Sequence, residues 1–313
     1  MAREIVKQTF SDGSEKLGYA WTIKDPIANV IIVTGMAETA IRYDDFANFL
    51  NKNGYDVFCI DHYGQGLNCP TEDMLGHVPP SFFSKSVKDI DSLVTKCRVS
   101  CLPTYIFAHS MGSFMLQDYI QRFTEHVNKV IICGTDGPND KLLFWAGYTI
   151  ARLTVHKKNR EKPGTFLNKL SFGSYNNHFK PTRTEYDWLS KNEENVDKYI
   201  ADPYCGFMPS KGFYREFLKG NNRLFKRKFI TKIRKDMSVL LIAGKDDPVG
   251  AYGKGPTALA KLYKKLGLQD VQLKLYDGLR HEILNEKEHQ VVYDDILAFL
   301  KEEKKSAEEF IGK

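Results

Sequence analysis

The sequence predicts an α/β fold with a mostly parallel central sheet flanked by helices and interrupted once by a long insert. Three observations lead there. Short, wholly apolar runs alternate with stretches whose apolar residues recur three and four apart. The alternation stops after Gly134 and resumes at Ser238. The segment between carries a different charge from its flanks.

In chain order, Met1–Phe10 reads as a strand rather than a charged-then-apolar leader, so no export signal is expected. Val30–Thr34, Asp56–Ile60, Thr104–Phe107 and Lys129–Cys133 are continuous apolar runs bounded by turn residues. Strands buried on both faces of a parallel sheet read this way. Helices are predicted between them at Tyr43–Asn53, Phe82–Arg98 and Met111–Phe123; in the second, Val87, Ile90, Val94 and Cys97 share a face. After the insert come a strand at Ser238–Gly244, a helix near Pro256–Leu266, a strand at Val271–Tyr276 and a last helix striped by Val292, Ile296, Phe299 and Leu300. Strands alternating with helices imply right-handed βαβ units. The charged tail after Lys301 is expected to fray.

The insert, aromatic-rich and irregular, divides the chain into 1–136, 137–236 and 237–313. From Gly137 to Asp236 there are 21 Lys plus Arg against 10 Asp plus Glu, whereas the rest of the chain has 24 against 29. The insert is therefore strongly basic inside a mildly acidic frame. Its longest apolar stretch, Leu142–Leu153, is too short to span a bilayer. The run Leu142-Leu143-Phe144-Trp145 suits a helix that touches lipid, or equally one buried in the core. Basic runs at Lys226–Lys228 and Lys232–Lys235 sit in no nucleic-acid module, so an anionic substrate or membrane surface is the expected partner and nucleic acid is not. The six cysteines form no CxxC pair and no metal spacing. They read as free thiols of a cytoplasmic protein. No phosphate-cradling glycine loop appears, and no cofactor is expected.

The chemistry concentrates where the strand at Thr104–Phe107 runs into Ala108-His109-Ser110-Met111-Gly112 and then a helix. Small-x-Ser-x-small on a strand–turn–helix projects the serine hydroxyl above a sheet, and the small residues permit the close backbone approach. A serine at its ordinary pKa needs a base, and the base an orienting acid, in the chain order Ser, Asp, His. Of the five downstream histidines, only His281 falls in a loop directly after a strand; His126, His156, His178 and His289 do not. The acid should follow Ser238–Gly244, where Asp246 and Asp247 compete; Asp247 is favoured, and Asp136 is a third candidate on the same rim. Backbone donors for an oxyanion would be the N–H of Met111 and, from the Gly35–Glu38 loop, that of Met36. Asp61-His62-Tyr63-Gly64-Gln65-Gly66 reads as a structural turn, with His62 near the pocket rim.

Together these segments, with Asp246–Gly250, Arg280-His281-Glu282, Asp187–Ser190 and Asp202–Phe207, resemble the lysophospholipase and monoacylglycerol lipase branch of the α/β-hydrolases, also described as serine aminopeptidase-like. The resemblance covers nearly the whole chain. It implies that Ser110, Asp247 and His281 form the triad, Met36 and Met111 the oxyanion donors, and the insert a helical lid. The sequence departs from the family's usual pattern in three places: Thr34 for a His before Gly35, Thr39 for a His after Glu38, and Leu67-Asn68 where the turn motif usually ends in Ser. None removes a backbone donor, and all bear on substrate choice. The expected activity is carboxylic-ester hydrolysis on lysophospholipid, monoacylglycerol or small acyl esters. An aminopeptidase is the alternative, its substrate ammonium held by Glu185, Glu193, Glu194 or Glu216. A catalytically idle binding protein would not need all three triad residues.

Overall fold

The computed structural model describes residues 3–10, 13–138 and 141–302. Eight strands form one sheet: β1 (Arg3–Thr9), β2 (Glu15–Trp21), β3 (Ala28–Val33), β4 (Tyr55–Ile60), β5 (Thr104–His109), β6 (Lys129–Cys133), β7 (Ser238–Gly244) and β8 (Asp270–Tyr276). Their spatial order is β1-β2-β4-β3-β5-β6-β7-β8. β1 pairs antiparallel with β2, and β2 with β4; every pairing from β4 to β8 is parallel. The fold class expected from the sequence is therefore the one observed.

The continuous apolar runs have the cause inferred for them. Ile31 and Val33 of β3, Val130 and Ile132 of β6, and Val239 and Leu241 of β7 face one core, and their alternating neighbours Val30, Ile32, Ile131, Leu240 and Ile242 face the other. Helices α2 (Phe82–Cys97), α3 (Met111–Arg122) and α9 (Lys254–Lys265) cover the first face. Helices α1 (Asp44–Lys52) and α10 (His289–Lys301) cover the second. Full burial of each such side chain contributes about 1.5–3 kcal/mol, which makes these alternating strands the main source of cohesion.

β6 and β7 are neighbours in the sheet although about a hundred residues separate them. The described part of that segment forms α4 (Lys141–Thr154), α5 (Thr165–Phe172), α6 (Glu193–Ala201), α7 (Lys211–Asn221) and α8 (Arg227–Ile230), and adds no strand to the sheet. The chain thus leaves the sheet at the rim formed by the C-terminal ends of the parallel strands and re-enters it at the opposite edge, where Ser238 lies level with Lys129. Among the described residues no helix is long and apolar enough to cross a membrane. The tail expected to fray begins at 302 and otherwise lies outside the described residues.

Candidate active site

Open α/β sheets bind ligands outside the carboxyl ends of their strands, and the predicted site residues all lie on turns there. Ser110 joins β5 to α3 with φ 51° and ψ −120°, a conformation seldom adopted by a residue with a β-carbon. The turn is held because the Ser110 N–H donates to the Cys133 carbonyl of β6 at 3.0 Å. It also needs Gly112: a β-carbon there would press on the backbone oxygens of Val33 and Thr34, 2.6 Å from the latter. On the other side, a β-carbon on Gly35 would lie 3.1 Å from Ser110 Cβ. Close approach of three backbones is the physical content of the small residues flanking the serine.

His281 follows β8 and is buried, its Nδ1 3.0 Å from Asp247 Oδ2. Asp247 is fully buried; its second oxygen accepts the Val249 N–H at 2.8 Å, which fixes the carboxylate plane. The two alternative acids are placed elsewhere. Asp246 is half-buried, and its own N–H donates to the Leu279 carbonyl. Asp136 turns its Oδ1 to the Gly137 N–H at 2.7 Å, beside Gly255 at the start of α9. The His281 ring lies between those of His109, 4.7 Å away, and Trp188, 5.2 Å away. Ser110 and His281 line one cavity without a hydrogen bond joining their side chains; such bonds often tighten only with substrate present.

Met36 and Met111 both border that cavity. Met111 opens α3, so its N–H belongs to a helix N-terminus, where negative charge is favoured. Met36 sits in a loop pinned from beneath by the buried Gln65, which accepts from the Ala37 N–H at 3.1 Å and donates to the carbonyls of Gly35 and Glu38. Asp61 accepts from the N–H groups of Ala40 and Leu67. The Asp61–Gly66 turn is thus structural, as read. His62 is not at the pocket rim: it is buried against the Thr34 carbonyl and the edge of Phe82, and burial pushes its pKa down to about 4.

Sequence reasoning assigned no role to a buried charge network behind the site. Arg42 grips Glu282 with two bonds, 2.6 and 2.7 Å, and also reaches Glu38 at 3.3 Å and Asn195 of α6 at 3.1 Å. Glu38 receives the Gly35 N–H and the Tyr43 hydroxyl and faces His109 Nδ1 at 3.5 Å; the other His109 nitrogen meets the His281 carbonyl at 3.3 Å. Burial favours the neutral forms of Glu282 and His109 but is outweighed. Arg42 and Asn195 bring Glu282 down to about 2, and Glu38 raises His109. Only Glu38 and Arg42, four apart, left a trace in the sequence; Glu282 is 240 residues away. A second carboxylate, Glu286, accepts Ser190 Oγ at 2.7 Å and the N–H groups of Lys191, Asn192 and Arg280, tying the segment beside Trp188 to the His281 loop.

The cavity measures about 650 Å³. Segment 144–221 supplies most of its wall, including Phe144, Phe172, Tyr175, Trp188, Phe207 and Phe217. Among the described residues no lysine or arginine lines it, and the charged residues that do are Glu38, Asp136, Glu185 and Glu282. The basic run Lys226–Lys228 is exposed on and beside α8, away from the cavity. The charge imbalance of the insert therefore does not translate into a cationic pocket. Of the four glutamates considered for an ammonium, only Glu185 reaches the cavity.

Comparison with known proteins identifies the family of the chain. Residues 24–288 match the family model described as serine aminopeptidase, S33. The chain is 26% identical over 286 residues to a monoacylglycerol lipase of Mycolicibacterium smegmatis, covering 88% of this chain and 89% of the relative. It is 23% identical to phospholipase YtpA of Bacillus subtilis, covering 90% and 98%. A thermostable carboxyl esterase from Bacillus coagulans superposes with a TM-score of 0.85 at 25% identity, covering 96% and 98%. The chain belongs to the serine aminopeptidase S33 family, as an α/β-hydrolase of the branch that resembles monoacylglycerol lipases and lysophospholipases.

Proposed function

We propose that this protein is a serine carboxylic-ester hydrolase acting on lysophospholipids, monoacylglycerols or small acyl esters. The observation that carries the reading is the pairing of His281 with buried Asp247 in the cavity that the strained Ser110 turn enters. Asp247 holds the Nδ1–H tautomer, which leaves Nε2 free to take the Ser110 proton as Oγ attacks the ester carbonyl. The N–H groups of Met36 and Met111 receive the oxyanion. Collapse of the tetrahedral intermediate expels the alcohol, protonated by His281. Water, activated by the same imidazole, then releases the acid from the acyl-enzyme.

Segment 137–236 acts as a lid over this chemistry. Leu142, Trp145, Leu153 and Phe166 project from α4 and α5 into solvent although they are apolar, and the segment is basic; both features suit peripheral contact with an anionic membrane. The aromatic-rich wall, with Phe144, Phe172, Trp188, Phe207 and Phe217, suits an acyl chain better than a peptide. The six free thiols suit the cytoplasm. An aminopeptidase reading rests on Glu185 alone. The test is a profile of kcat/KM on p-nitrophenyl esters from two to twelve acyl carbons beside a set of amino-acid amides. Ester turnover that favours medium chains supports the proposal; preference for the amides overturns it.

A further inference from the structure

Helix α7 presents Phe217, Leu218 and Asn221 to the cavity. Phe217 packs edge-on against Phe114 of α3, which meets Phe144 of α4 in the same way, with ring centroids 5.8 and 6.0 Å apart. This sleeve is the surface an alkyl chain requires. Asn221 does not fit it. The residue is 1% exposed, and neither its amide nitrogen nor its amide oxygen has a hydrogen-bond partner. Buried polar side chains are seldom left so, and each exception asks for an explanation.

The surroundings of Asn221 define what would complete it. Gln121 of α3 donates through Nε2 to the Leu224 carbonyl at 3.0 Å, and the Leu224 N–H donates to the Asn221 backbone carbonyl at 3.1 Å. Gln117, one turn earlier, donates to Thr135 Oγ1 at 2.8 Å. The side-chain oxygens of both glutamines are buried and unpaired. Asn221 therefore offers the cavity one open amide acceptor and one open amide donor, and α3 carries two further unpaired amide oxygens that do not line it. A carboxylate or phosphate would set its own acceptors against the Asn221 oxygen. An alkyl terminus would leave both Asn221 groups unmet. A neutral hydroxyl can donate to one amide oxygen and accept from the Asn221 nitrogen.

Building on the reading of this cavity as an acyl-ester site, we infer that Asn221 forms a subsite for a hydroxyl group carried on the buried chain of the substrate, so that the enzyme favours hydroxylated acyl esters over plain alkyl ones.

Two measurements test this. The first compares kcat/KM for p-nitrophenyl esters of plain and ω-hydroxy acids of six, eight and ten carbons, in the unmodified protein and in Asn221→Leu, which keeps the branched heavy-atom skeleton and removes both polar atoms. At the best chain length the hydroxy-to-plain ratio should fall by about tenfold in the variant, the weight of one well-made hydrogen bond. An unchanged ratio at all three lengths overturns the inference and leaves Asn221 a water-solvated structural residue. The second uses only the unmodified protein and no catalysis: calorimetric affinities for 1-octanol and octane-1,8-diol. A hydroxyl forced unpaired into an apolar pocket loses affinity heavily. Affinities within about fivefold of each other support the subsite. A diol weaker by more than that overturns it. If the esters are not hydrolysed at all while the diol still binds well, the proposed activity fails and the subsite stands.

Discussion

Replacing Arg42 with methionine separates the two buried carboxylates from the cation they share. Glu282, 4% exposed, would keep Asn195 at 2.7 Å and Asn285 at 3.4 Å as side-chain donors, and Glu38 would keep Tyr43, His109 and the Gly35 N–H. Removing one partner of a buried ion pair costs about 3–5 kcal/mol, because the remaining charge stays desolvated. Linkage gives a second route to the size. The Glu282 carboxyl lies near 2 instead of the usual 4.5, a difference equivalent to about 3 kcal/mol. Its folded pKa is below its unfolded one, so the unfolded chain binds more protons between those values. Stability should therefore rise with pH across roughly pH 2 to 4.5 and be lost again as pH falls. With 313 residues, unfolding entropy is about 0.65 kcal/mol/K, so a loss of about 3 kcal/mol lowers Tm by about 5 °C. Thermal melts of both proteins at half-unit steps from pH 2.5 to 7 measure this. At pH 7 Arg42→Met should melt about 5 °C lower, with most of the acid-side slope gone, and adding Glu282→Gln should recover part of the loss. A Tm shift below about 1 °C, or an acid limb unchanged by the substitution, would refute the reasoning.

The other expectations follow from the same geometry. Asp247→Asn should lower kcat by several orders of magnitude, since it upsets the His281 tautomer, while Asp246→Asn and Asp136→Asn should cost less than about tenfold; a larger loss at position 246 or 136 in kinetic assays would move the acid there. His109 has its pKa raised by Glu38, so its contribution to stability is full below the unfolded value and lost as pH rises through the folded one. His109→Gln should therefore flatten the alkaline fall of Tm, and an identical alkaline limb would remove His109 from the network. Gly112→Ala should fold poorly or lose nearly all activity, because its β-carbon meets the Val33 and Thr34 carbonyls; soluble protein with ordinary ester turnover would contradict the close packing described.

The sequence made most of the sheet legible, because strands buried on both faces leave unbroken apolar runs. β6 and β7 were read to the residue, and β1, β3, β4, β5 and β8 to within two. β2 gave no such signal. Its inward positions carry Lys16 and Gly18: the lysine is buried against Asp89 and the Tyr63 ring, and the glycine lies where a β-carbon would meet β4. Neither contributes to a hydrophobic period. The order of strands was not readable either, since pairing is a long-range property. For the site, chain order and turn context sufficed to place Ser110, Asp247 and His281 on one rim. They could not reveal Arg42, Glu282 and His109 as one cluster, because contacts across 240 residues leave no local pattern. The basic insert misled in one respect: a charge count averages over a segment, and its cations lie outside the cavity while the lining charges are acidic.

The central claim is that Ser110 is an activated nucleophile, and covalent labelling tests it most directly. The protein should react with a fluorophosphonate probe, and peptide mass spectrometry should place one adduct on Ser110, with labelling abolished in Ser110→Ala and strongly slowed in His281→Ala. Labelling that persists in Ser110→Ala, or an adduct mapped to another serine, would contradict the account.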